Sequence, residues 1–184
     1  MPTRPGEKLP EYLTAEEVAG VIAASDNPHA RLLMLCMWRA GLRVSEALAL
    51  QTQDLSLDDD PPVLRVRRGK GRRQRIVPIH PELQQAVRVA IDYGKLRGRL
   101  FAISRTTAHT WIKKAAARAE ERGVIEPGRA VSAHVFRHSF ARHVLQSGVP
   151  INLLSQWLGH SHINTTLIYL KLTPDPTSHM RNVP

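Results

Sequence analysis

Apolar positions recur along the chain with two periods, and the switch between them marks out its elements. Thr14 and Glu17 have the spacing of a capping box. Val18, Val21 and Ile22 follow on one helical face, which predicts a first helix. Pro28 suits the first turn of a second helix. Its run LLMLCMW, residues 32–38, is apolar on every side and predicts a central, buried helix. Gly41 stops it, and Val44, Ala47 and Leu48 can pack inward beyond.

The period then drops to two. VLRVR (63–67) and RIVPI (75–79) predict a β-hairpin whose turn Gly69 and Gly71 permit, and Pro78 argues for a strand at a sheet edge. Helical spacing returns after His80–Pro81 with Leu83, Val87 and Ile91. It returns again over 107–122 with Trp111, Ile112 and Ala115, after a linker with a short strand at 97–101. The order helices, hairpin, helices reads as α+β, mainly α, with a small β-hairpin or sheet at one edge.

The last organised stretch, 132–171, carries the densest candidate chemistry. Ser132 is a good N-cap, and Phe136, Phe140 and Val144 repeat every four residues behind it. His134 lies one turn from both Arg137 and His138, near a helix N-terminus where backbone N–H groups already favour an anion. Gly148 and Pro150 separate this helix from the next, marked by Ile151, Leu154 and Leu158. Gly159 and His160 follow, then a short segment from Thr165 that carries Tyr169. A phenol delivered to an Arg/His phosphate cradle is a nucleophile; a packed core tyrosine is the alternative.

Composition narrows the partner. The chain has 184 residues, enough for one domain with a real core, and a formal net charge of +10. That balance favours a polyanion, nucleic acid first and an acidic membrane surface second. Seven of the eleven residues from 65 to 75 are basic: Arg65, Arg67, Arg68, Lys70, Arg72, Arg73 and Arg75. Such a ribbon fits a phosphate backbone, with Lys70 between two glycines at the loop's reach. It reads equally as a solvated basic turn. Lys113, Lys114 and Arg118 on the 107–122 helix, and Arg142, are further candidates for DNA contact, to phosphate rather than base. Arg43 reads either as a surface arginine paired with Glu46 or as one fixed between a glycine turn and a buried helix. Cys36 is a lone cysteine in an apolar run, so neither a disulfide nor a zinc set can be built from it. No signal peptide and no apolar run of bilayer length is present, and a reducing cytoplasm is expected.

Assembled in order, these boxes resemble the tyrosine recombinase (phage integrase) family over roughly 13–172. GLRVSEAL is similar to its first arginine box, the GKG turn to its lysine hairpin, HVFRHSFA to its His-x-x-Arg-His box, and LGHSHINTTLIY to its final His-to-Tyr box. The resemblance implies a recombinase-like catalytic domain that cuts and rejoins DNA through a 3′-phosphotyrosine. In that reading Tyr169 attacks, Arg43 and Arg137 clamp the nonbridging oxygens, and Lys70 protonates the leaving 5′-oxygen. His134 assists proton transfer and His160 hydrogen-bonds the phosphate, with His138 and Glu46 supporting. No metal, cofactor or ATP is implied. Double-stranded DNA is the partner, and a chain monomeric when free joins a tetramer on two duplexes. Residues 1–12 are expected to be a flexible lead-in and 173–184 a C-terminal tail. The short lead-in reads as a catalytic fragment or a minimal one-domain recombinase. Two rival readings are a non-catalytic helix-turn-helix DNA-binding protein, with its turn at 148–150, and a type IB topoisomerase.

Overall fold

The computed structural model describes residues 9–67, 74–94 and 96–172. Eight helices and a three-stranded sheet follow one another within them. Helix α1 (Ala15–Ala23) starts on the expected capping box: the Thr14 side chain accepts from the Glu17 N–H, and Glu17 accepts from the Thr14 N–H. Asn27 caps α2 (Pro28–Arg39) through two backbone N–H groups. Every residue from Leu32 to Trp38 is buried, because α1 and three later helices, α4 (Pro81–Asp92), α5 (Arg105–Glu121) and α6 (Ala133–Gln146), all pack around α2. The uniformly apolar run is thus the axis of the core.

Helix α3 (Val44–Ala49) leaves α2 through Gly41, whose φ of 60° lies in the left-handed region. A Cβ there would sit 2.4 Å from the Phe140 ring, so both backbone and space demand glycine. Gly41→Ala is expected to cost about 1–3 kcal/mol through strain and a displaced Phe140. A urea melt reads this; an unchanged midpoint would contradict it.

The sheet is antiparallel, in the order β1 (Leu55–Ser56), β2 (Val63–Val66), β3 (Arg75–Pro78), so Pro78 does lie on an edge strand. Strand β1 escaped the sequence reading because two residues are too few to show alternation. In β3 the alternation is inverted in polarity: Arg75 and Val77 face inward while Ile76 is 58% exposed.

Helix α4 (Pro81–Asp92) is capped by His80, which accepts from the Glu82 N–H. Helix α5 (Arg105–Glu121) begins two residues before the expected Thr107, because Ser104 rather than a later residue caps it. Helix α6 (Ala133–Gln146) starts on the expected Ser132 cap and lays Phe136 and Phe140 against α2. Helix α7 (Ile151–Leu158) ends on Gly159 at φ 65°, and α8 (Asn164–Leu167) runs into a 3₁₀ turn, Ile168–Leu172. No helix among the described residues is long and apolar enough to cross a membrane.

Candidate active site

The site is organised on a carboxylate. Arg43 occupies the N-cap position of α3, and Glu46 sits one turn on. One Glu46 oxygen accepts from the Arg43 guanidinium at 3.0 Å, and the other accepts from the Arg43 backbone N–H at 2.9 Å. Arg75 donates to both oxygens, at 2.8 and 2.7 Å, and Arg137 lies 3.7 Å away. Three guanidinium groups from α3, β3 and α6 therefore converge on one carboxylate. Burial by itself raises the Glu46 pKa; Arg75, then the Arg43 N–H and Arg137, more than offset it and hold the group at about 2.

Arg137 is almost wholly inside the protein. It donates to the Gly41 carbonyl and, at 2.6 Å, to the Leu158 carbonyl, tying the α2–α3 turn to the end of α7. Burial, with repulsion from Arg43, lowers its pKa to about 9, so it stays protonated at neutral pH. The Arg43 side chain is 39% exposed, so it stays reachable from solvent while paired with Glu46.

The imidazoles complete the cluster. His160 follows the left-handed Gly159. Its Nε2 lies 3.4 Å from Arg137, and its Nδ1 lies 2.8 Å from the Thr166 hydroxyl. A guanidinium cannot accept, so Nε2 is the acceptor and the Nδ1–H donates to Thr166. The Nδ1 of His138 is 2.8 Å from the Tyr169 hydroxyl. His134, one turn earlier, is exposed, with its ring centre 6.4 Å from that of His138. The histidine touching the phenol is thus His138, whereas His134, expected to assist proton transfer, lines the hollow beside Arg43 and Arg137.

Tyr169 is 2% exposed. Burial raises its pKa, while Arg137 and Arg43 pull the other way. Burial, then neighbouring positive charge, pushes His138 and His160 down to about 4. Both are therefore neutral at pH 7. Their folded pKa values lie below the unfolded 6.5, so their contribution to stability is complete above pH 6.5 and is lost as pH falls through 4. The melting temperature is expected to drop across that window, and less steeply in His160→Asn. A flat profile would contradict the assignment.

Beside Arg43 and Arg137 lies a pocket of about 240 Å³ whose wall also includes Ser45, Arg105 and His134. Three guanidiniums and an imidazole around one hollow make an anion site. Arg105 was missed by the sequence reading. It is the first residue of α5, and only the position of Ser104 as the cap could have signalled it.

The other candidates scatter. Arg65 is exposed on β2, and Arg67 pairs with Asp54. Lys113 and Lys114 are exposed on α5, whereas Arg118 pairs with Asp26 at 2.6 Å. Arg68, Lys70, Arg72 and Arg73 lie outside the described residues. Arg142 donates to the Leu172 carbonyl at 3.0 Å and covers the Tyr12 ring, bracing the last turn. Arg75 departs most from expectation: its side chain is 8% exposed and bonded internally, which removes it from any DNA-facing ribbon.

The fold is that of a known class. The sequence profile of the phage integrase family matches residues 11–175, and the chain belongs to that family. Tyrosine recombinase XerA of Pyrococcus horikoshii is 34% identical over 95% of this chain and 60% of its own length. Among solved structures, that of XerA recombinase is 27% identical with a TM-score of 0.80, covering 98% of this chain and 68% of that one. The catalytic domain of bacteriophage HP1 integrase is 29% identical with a TM-score of 0.70, covering 96% of each chain. The chain spans 58–64% of the length of the first curated relatives it matches.

Proposed function

We propose that this chain is the catalytic unit of a site-specific DNA recombinase that breaks and reseals strands through Tyr169. The observation that carries the reading is the anion pocket between Arg43, Arg105, His134 and Arg137, within electrostatic reach of a phenol hydrogen-bonded to His138. A phosphodiester seated there has its nonbridging oxygens met by guanidiniums that stay charged. The Tyr169 oxygen attacks phosphorus, its proton passes to neutral His138, and the 5′-oxygen leaves. By the family resemblance, Lys70 protonates that oxygen. The phosphotyrosine conserves the diester bond, so a second 5′-hydroxyl can reverse the step without ATP. Because the Tyr169 ring is buried, attack requires α8 and the turn after it to shift toward the pocket.

A helix-turn-helix reading of α6 and α7 fits less well. Leu154, Ser155 and Leu158 of α7 are buried, and its last carbonyls accept from Arg75 and Arg137. Helix α7 thus serves the site rather than a groove. By resemblance the partner is double-stranded DNA, held by four chains on two duplexes, with a free monomer in the cytoplasm. With a net charge of +10, the isolated monomer should bind duplex chiefly through phosphates, and so with steep salt dependence and only weakly at physiological salt. Nanomolar affinity at physiological salt would contradict this.

The test is covalent capture. The protein is incubated with a pool of nicked duplexes carrying a randomised core, without added metal, and denatured. A protein–DNA band is expected, and sequencing the trapped DNA gives the target site. Absence of any band would end the reading.

A further inference from the structure

The inward-facing arginine of β3 is a feature that neither core packing nor DNA contact explains. Arg75 shares its face of the strand with Val77, a position an apolar residue would fill without penalty. A buried cation is tolerated only when fully paired, and here every nitrogen is used. Two go to Glu46, in a fork matched to the carboxylate. The third, Nε, donates to the Trp157 carbonyl at 2.6 Å.

That third bond connects the pair to the rest of the site. The last carbonyls of a helix lack intrahelical donors. At the end of α7 two successive ones, on Trp157 and Leu158, accept from Arg75 and Arg137 respectively. His160 follows two residues later. The negative end of the α7 dipole adds to the attraction. Glu46, at the other end of the fork, holds both the Arg43 backbone and its guanidinium. Arg75 also lies five residues after Lys70 in the chain.

We propose that Arg75 is a positioning residue for strand cleavage: it fixes the Glu46 carboxylate that aims Arg43, and it locks the α7 terminus that carries His160. This rests on the recombinase reading above. Substitution leaves every phosphate-contacting side chain present but lets the Arg43 side chain and the α7 end drift out of position. A misplacement of an ångström at such a site costs roughly 10²-fold in rate.

The test uses the full chain and the duplex captured by the wild type. In Arg75→Gln, single-turnover cleavage at saturating duplex should fall roughly 10²-fold, while the dissociation constant changes by less than about threefold. Arg75→Lys, which keeps the charge but cannot span a carboxylate and a carbonyl together, should recover only part of the rate and guards against a Gln variant that fails to fold. A second readout needs no DNA. Glu46 is held at about 2 against an ordinary 4.5, so its stabilisation is present above pH 4.5 and is lost toward pH 2. In Arg75→Gln that loss should shrink.

Three results overturn the proposal. One is weaker binding, with a salt slope lower by about one and unchanged cleavage at saturation, which would make Arg75 a DNA contact. Another is a lower melting temperature with wild-type cleavage by the folded fraction, which would make it a brace only. The last is a wild type that traps no duplex from the pool. That removes the recombinase reading and this proposal together, whereas an active wild type with an equally active Arg75→Gln removes this one alone.

Discussion

Tyr169→Phe should leave the chain folded and able to bind duplex, and should remove the covalent band completely. The substitution deletes one oxygen from a ring that is otherwise packed in place. Its structural cost is a single hydrogen bond to His138, about 0.5–1.5 kcal/mol. Its chemical cost is the proposed nucleophile, and deleting a nucleophile lowers turnover by at least ~10⁴-fold. The chain has two other tyrosines, Tyr12 and Tyr93, and Tyr93 is 85% exposed. A band that survived in Tyr169→Phe would therefore move the nucleophile elsewhere, and peptide mapping of the adduct would say where. Melting curves of the two proteins should differ by only a few degrees. A collapse of the fold would mean that the phenol is chiefly a structural group.

The contrast between what the chain's pattern announced and what it hid has a physical basis. The run 32–38 is legible because a helix buried on all sides needs no polar face, and few other structures tolerate seven successive apolar side chains. The α6 face is legible because Ser132, Phe136 and Phe140 combine a cap with a four-residue repeat. The meeting of Arg43, Arg137, His160 and Tyr169 is not a local property. Order and spacing of the boxes suggested it, but only the packing of α3, α6 and α7 brings Arg43, Arg137 and His160 together.

Arg75 shows where a local reading fails. Counted by charge, it belongs to a basic ribbon; counted by parity, it belongs with Val77 and Ile79, both buried. Parity decides, because a strand with one covered face sends alternate residues inward whatever their type. What makes the inward choice stable is Glu46, 29 residues away, and nothing in either segment alone announces that pairing. His138 was likewise expected as a supporting residue. Its contact with the phenol depends on how the turn Ile168–Leu172 folds back on α6.

The two arginines proposed to clamp the phosphate should separate when each is replaced, because they are held so differently. Arg43→Ala removes a side chain that is 39% exposed and leaves Glu46 paired with Arg75. Stability should change by less than about 1 kcal/mol, while cleavage at saturating duplex falls roughly 10²–10³-fold, the loss expected for one preorganised donor to developing charge. Arg137→Ala removes the group that bridges two buried carbonyls, on Gly41 and Leu158. Each acceptor left without a donor costs about 1–3 kcal/mol, so this variant should melt early as well as fail to cleave. Arg137→Lys is the more informative change. An ammonium can serve one carbonyl but lacks the planar fork to serve both and still face a phosphate. It should fold, lose about 1–3 kcal/mol in a urea melt, and cleave roughly 10²–10³-fold more slowly. Binding of the captured duplex should change far less than cleavage for both Arg43→Ala and Arg137→Lys. If binding fell while cleavage at saturating duplex did not, the arginines would be ground-state phosphate contacts, with no preference for the charge that builds up as the strand breaks.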